Sequence, residues 1–159
     1  MNIATPSPTG AVVAMASPKL DPLWDRLREQ AEAMVRAAPE LGGLVISAVL
    51  SAPSFEMAVA RRIAARLANA EISAHLLGDT FAEAFGADAS IVRAIRADVL
   101  AVLDRDPAAN RLIEPVLYFK GFHAIQTHRL AHWMWRRGRR DFALYLQSRS
   151  SEVFQTDIH

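Results

Sequence analysis

Between residues 114 and 159, apolar and aromatic side chains recur at steps of three or four. Phe119, Phe122 and Ile125 lead to Leu130, Trp133 and Met134, with one step skipped at Arg129. That period belongs to a helix, since side chains of a strand would alternate. Pro115 suits a first helical turn. Gly138 interrupts the pattern, and a second helical run carries Phe142, Leu144, Tyr145 and Leu146. Most of the aromatic residues lie in this stretch, together with His123, His128, His132 and His159. Residues 153–158 change character, because Phe154, Thr156 and Ile158 favour extended backbone.

The upstream sequence has the same period. Asp21 before Pro22 is an N-cap acid followed by proline at the first helical position. Leu23, Leu27, Ala31, Met34 and Val35 form the inward stripe of that helix, and Pro39 closes it. Residues 40–52 are apolar on most sides and predict a short buried helix, with a strand as the alternative. Gly42 and Gly43 weaken its first turn. Ser54 caps a helix to about residue 68, with Phe55, Val59, Ile63 and Leu67 inside and Arg61, Arg62 and Arg66 on a solvated outer face. A helix over 72–85 places Leu76, Leu77, Phe81 and Phe85 inside and stops at Gly86. Asp88 caps a helix over 91–103, with Ile91, Ile95, Val99 and Val102 buried. Asp106 precedes Pro107, which disfavours helical backbone and throws the carboxylate onto a turn. The pattern predicts an all-α fold: a compact domain of about seven helices with a short extended C-terminal segment.

With 159 residues the chain can bury one sizeable core. A formal net charge of +1 argues against a broad nucleic-acid surface. The absence of cysteine excludes disulfides, thiolate zinc sites and cysteine nucleophiles. No apolar run reaches the length of a membrane span. Residues 10–16, GAVVAMA, end in small residues but have no preceding Lys or Arg, so residues 1–20 read as a frayed tail and not as a secretory signal.

Several groups could carry chemistry. His128 and His132 are four apart and could face one metal, but no glutamate lies between them and no acidic ligand is near in sequence. His123 falls about 140° round the helix from His128 and would not complete a site. No metal site is therefore expected. Arg136, Arg137, Arg139 and Arg140 follow Trp133 and Trp135 and could contact an anionic partner. Cations at a helix C-terminus also complement the helix dipole, and that reading is favoured. Asp104 and Asp106 could act as an acid–base pair, although Asp-Pro more often makes a turn. Asp157 and His159 would share one face of an extended segment.

The segments 115–124 (PVLYFKGFHA), 128–135 (HRLAHWMW), 138–140 (GRR) and 154–159 (FQTDIH), with the turn Arg105-Asp106-Pro107-Ala108 upstream, resemble the bacterial serine O-acetyltransferase family. The likeness is close over the last part of the chain and looser before it. It implies a helical N-terminal domain over residues 21–153 of a cytoplasmic enzyme. That enzyme acetylates L-serine from acetyl-CoA on the way to cysteine. It also implies that residues 154–159 begin the transition to a left-handed parallel β-helix, which this sequence lacks. The family's general-base histidine and its acetyl-CoA groove lie in that second half. The resemblance carries over Asp157 as the acid that orients the catalytic histidine. It carries over Asp106, with Pro107 beside it, as a holder of the substrate amino group. It further implies cysteine as a feedback inhibitor and a homo-oligomer, hexameric in the family, built through the helical domain, with no nucleic-acid or membrane partner. A chain of these 159 residues is expected to be inactive alone. The alternative is a free-standing helical module for assembly or regulation.

Overall fold

Asp21 starts the first helix as its sequence predicts: its Oδ1 accepts from Trp24 N–H at 3.2 Å. The computed structural model describes residues 20–159; the suggested tail, apart from Leu20, and the 10–16 segment lie outside them. Helix α1 (Pro22–Ala37) buries Leu27, Ala31 and Met34. Residues 40–52 are helical and not a strand, in three windings: a 3₁₀ turn at Pro39–Leu41, helix α2 (Gly42–Val45) and a π turn at Ile46–Leu50. The wide turn is closed by Ser51 N–H on Ile46 O at 2.9 Å. It turns Val45, Ala48 and Val49 inward and leaves Ile46 half exposed.

Helix α3 (Phe55–Leu67) is capped by Ser54 Oγ, which accepts from Met57 N–H at 3.3 Å. It lies at the centre of the bundle, against α1, the π turn, the two helices that follow it, the short helix at 113–117 and the last helix. Helix α4 (Ala74–Ala87) begins two residues later than its pattern suggests. The reason is a turn in which Asn69 Oδ1 accepts from Glu71 and Ile72, followed by a Ser73 cap on Leu76 N–H. Leu76 therefore sits on the outer side of the first turn and is 47% exposed, contrary to its expected burial. Gly86 is not the stop either. Its backbone stays helical, and Asp88 ends α4 while capping helix α5 (Ala89–Arg105) through Ser90 N–H.

The C-terminal stretch differs most from its pattern. Instead of one helix from Pro115, a short α6 (Ile113–Leu117) ends at Tyr118 and α7 (Lys120–Arg136) restarts after Phe119. The break is stabilised because the freed carbonyls find side-chain donors. Arg62 Nε donates to Leu117 O at 2.8 Å, and His123 Nε2 donates to Val116 O at 2.8 Å. Helix α8 (Arg140–Phe154) packs along α7. The helix keeps Val153 and Phe154, so the irregular segment is shorter than expected. Gln155 then turns the chain in the left-handed region at φ 58°, and residues 156–159 have no regular structure.

Gly138 makes the α7–α8 turn at φ +80°. Gly138 N–H bonds Trp135 O and Arg139 N–H bonds Met134 O, both at 3.0 Å, which is the Schellman pairing. Gly138→Ala is expected to cost roughly 1–2 kcal/mol, the penalty of a Cβ in left-handed backbone. No other atom crowds the position. Urea unfolding of the two proteins would measure it, and equal midpoints would refute this account of the turn.

Candidate functional site

Asp106 stands where α5 ends. Its N–H still closes the last helical turn on Val102 O at 2.9 Å, while its backbone has left the helical region. Pro107 enforces that departure. The side chain then folds back, and Oδ1 accepts from Ala108 N–H at 2.9 Å. This fixes the carboxylate without burying it. Asp106 and Pro107 line an open groove of about 750 Å³ between α5 and the start of α7, with Arg105, Lys120, Phe119 and Ile125 on its walls. Asp104 is exposed on the last turn of α5, and no hydrogen bond or ion pair joins it to Asp106 among the described residues.

Asp157 lies against α8. Its Oδ1 accepts from Gln147 Nε2 at 3.2 Å, and its Oδ2 lies 3.3 Å from His159 Nε2. The same Gln147 amide donates to His159 Nδ1 at 2.7 Å, so one side chain holds the segment by two points. Ile158 and His159 border a cavity of about 390 Å³ with His128, His132, Trp135 and Leu144. No hydrogen bond or ion pair joins Asp106 to Asp157 among the described residues. A link between their surroundings exists at Lys120, whose Nζ donates to Gln155 Oε1 at 3.1 Å. Lys120 faces the Asp106 groove, and Gln155 opens the segment that carries Asp157.

The histidines separate into two environments. The rings of His128 and His132 lie 6.2 Å apart, centre to centre. Burial, and after it the neighbouring His132 and Arg129, pull the His128 pKa below its usual value. Among the described residues, no three His, Cys, Asp or Glu side chains are grouped as metal ligands. His123, in contrast, is fully buried. Its Nε2 proton goes to a carbonyl, so Nδ1 is the acceptor, and Arg66 Nη1 donates to it at 2.9 Å. Burial is the main reason its pKa falls to about 4, and the Arg66 and Arg62 charges act in the same direction.

Arg62 and Arg66 are thus not simple members of a solvated face. Both are half-buried, and the Arg66 guanidinium also lies 4.9 Å from the centre of the Phe154 ring. Sequence reasoning missed this cluster because it followed apolar residues only. The buried face of α7 runs through His123, Gln126, Thr127, Leu130 and Met134, and Ile125 is 44% exposed. Gln126 and Arg129 both bond Asp98 Oδ2 at 2.8 Å, and Thr127 bonds His123 O at 2.8 Å. The available signal was spacing: three polar residues at four-residue and three-residue steps in phase with Leu130.

Among the described residues no helix is long and apolar enough to cross a membrane. The arrangement is an all-helical domain shared with solved acetyltransferases. The chain belongs to the serine acetyltransferase N-terminal domain family, whose sequence model matches residues 23–127. It is 39% identical over 145 residues to serine acetyltransferase 2 of Arabidopsis thaliana, covering 91% of this chain and 45% of that protein. The crystal structure of serine acetyltransferase from Brucella abortus strain S19 in complex with coenzyme A superposes with a TM-score of 0.86 at 52% identity, covering 88% of this chain and 56% of that one. The Neisseria gonorrhoeae enzyme in complex with serine superposes at 0.85 with 37% identity, covering 89% and 58%. The chain spans about half the length of the curated relatives it matches. The all-α expectation and the family resemblance both hold.

Proposed function

We propose that residues 21–153 are the helical domain of a cytoplasmic serine O-acetyltransferase, which moves the acetyl group of acetyl-CoA onto the hydroxyl of L-serine for cysteine synthesis. The observation that carries this reading is the match of residues 23–127 to the N-terminal domain of such enzymes. In the reaction the serine hydroxyl loses its proton to a base, its oxygen attacks the thioester carbonyl, and coenzyme A leaves as the thiol. In this reading the base belongs to the half of the enzyme that these residues do not match. Asp157 orients that base and stabilises its charged form, the task of an aspartate beside a catalytic histidine. Residues 154–159 lead from one half to the other.

Asp106 receives the substrate ammonium. A carboxylate fixed by its own turn meets a cation with little reorganisation, and such charge-assisted bonds are stronger than neutral ones. The bond from Ala108 occupies one lone pair of Oδ1, and Oδ2 has no partner among the described residues. Cysteine, with the same ammonium and carboxylate, would compete there as an inhibitor. The helical domain also supplies a self-association surface, supported by exposed Leu100, Ile125, Trp135 and Leu144.

The test is serine-dependent release of coenzyme A by the protein as its source cell makes it, with its intact mass measured alongside. Asp106→Asn is expected to raise KM for serine by roughly tenfold or more, from the loss of one charged hydrogen bond worth about 1.5–3 kcal/mol. An unchanged KM would remove Asp106 from the site. The 159-residue chain by itself is expected to release none. Measurable release would show that the helical half holds a working base.

A further inference from the structure

The arginine cluster after Trp133 does more than end a helix. Arg136 and Arg137, with His132, Trp133 and Arg129 behind them, border a concave cavity of about 540 Å³ against the start of α5. Their charges are unequally answered. Arg129 is paired with Asp98 at 2.8 Å, and the neighbouring Arg139 is paired with Glu83 at 3.0 Å. Arg136 and Arg137 have no carboxylate partner among the described residues. Arg137 lies over the Trp133 ring at 4.3 Å, which holds its guanidinium in place at the wall. The one carboxylate on the lining is Asp88; Ser90, which it accepts from as the α5 cap, is the main cause holding its pKa down, and the Arg93 and Arg137 charges add to this without an ion-pair contact.

Two further donors lie covered behind the same wall. Trp133 is only 7% exposed, yet its indole Nε1–H has no hydrogen-bond partner, and neither has Arg129 Nε–H. Unpaired buried donors are uncommon and call for a physical explanation. Both side chains line the cavity, but these two atoms are covered and do not reach its surface, so the charged contacts it offers are Arg136 and Arg137. Neither donor takes part in the Asp106 or Asp157 surroundings.

We propose that this cavity binds a small molecule carrying a phosphate or sulfate group, with Arg136 and Arg137 as the charged contacts. Planar guanidinium groups match the paired oxygens of such oxyanions and hold them better than ammonium groups would. Asp88 sets the other edge and repels the anion, so the oxyanion sits on the α7 side and the rest of the ligand fills the cavity towards Ile91. This site is independent of the serine acetyltransferase reading.

The experiment follows the indole N–H resonance of Trp133 in ¹⁵N-labelled 159-residue chain while inorganic phosphate or sulfate is added at constant ionic strength. Trp133→Phe identifies the resonance among those of Trp24 and Trp135. The expected result is a saturable shift with a dissociation constant on the order of 1 mM or below. The double variant R136Q/R137Q should weaken it roughly tenfold or more, while R140Q, whose guanidinium lies over Trp135, should leave it unchanged. Saturation by phosphate alone or sulfate alone would say which oxyanion is the source. A linear drift matched by chloride, or equal saturation in the double variant, would overturn the proposal. Both arginines are exposed, so circular dichroism of the double variant is expected to match the parent.

Discussion

Arg96→Met is expected to lower the stability of the domain by about 3 kcal/mol or more. From α5, Arg96 reaches the cap of α1 and the first turn of α3 together. Its Nη1 and Nη2 donate to Asp21 Oδ1 and Oδ2 at 2.8 and 2.6 Å, and its Nε donates to Glu56. The guanidinium also lies 5.5 Å from the centre of the Phe55 ring. Glu56 is 7% exposed, and Arg96 is its ion-pair partner inside the bundle. Removing one member of a buried pair costs about 3–5 kcal/mol, because the other charge stays behind without water. The low end applies, since the Asp21 side of the pair is partly solvated. For a domain of this size the melting temperature would fall by roughly 6–12 °C. Adding Glu56→Met to Arg96→Met should recover most of the loss. If the double variant is no more stable than the single one, the cost arises from packing and not from the stranded carboxylate.

The second large effect is a pH dependence centred on His123. Its pKa is depressed to about 4 in the folded protein, against an ordinary value of 6.5. Between those values the unfolded chain binds the proton and the folded one does not. Stability therefore falls as pH drops from about 6.5 towards 4, and the contribution is fully present above that window. From pH 7 to pH 4.5 the expected loss is about 2 kcal/mol from this group. Carboxylates titrate in the same range, so the readout is a difference. His123→Gln retains a donor for Val116 O and an acceptor for Arg66 but cannot take up the proton. Urea unfolding at both pH values should show the parent losing about 2 kcal/mol more than the variant. Parallel losses would mean that His123 takes up its proton as readily in the folded state as in the unfolded one.

Several caps and one stop were legible in the sequence because one local interaction decides them. Asp21, Ser54 and Asp88 cap their helices through their own side chains, and Gly138 supplies the left-handed turn. The ends of α4 were misread although they are local, because the Asn69 turn and Ser73 cap delay its start and Asp88 outlasts Gly86 as its stop; the larger misreadings depend on partners far along the chain. The break at Tyr118 needs Arg62 from α3, and the burial of His123 needs Arg66. Apolar spacing cannot report a face whose inner residues are polar, so it turns Ile125 inward where His123 and Thr127 hold that position. Of the candidate site, the Asp106 turn was legible because Pro107 imposes it. The hold of Gln147 on Asp157 was not, because it joins two segments whose geometry depends on the turn at Gln155.

Arg149 has a consequence for the order in which the domain can be completed during synthesis. Its guanidinium, fixed by a bond to Glu152, donates from Nε to Leu67 O at 3.0 Å and from Nη2 to Ala68 O at 3.5 Å, ending α3 across 82 positions of sequence. Helix ends left without partners are satisfied by water until such donors arrive. At about 5–20 residues per second, the ribosome needs roughly 4–16 s to add that length. Through that interval the central helix has a hydrated end, and its neighbours are laid down before its last carbonyls are bonded. The nascent domain therefore closes late, when its final helix emerges, and chaperones have that interval in which to meet it.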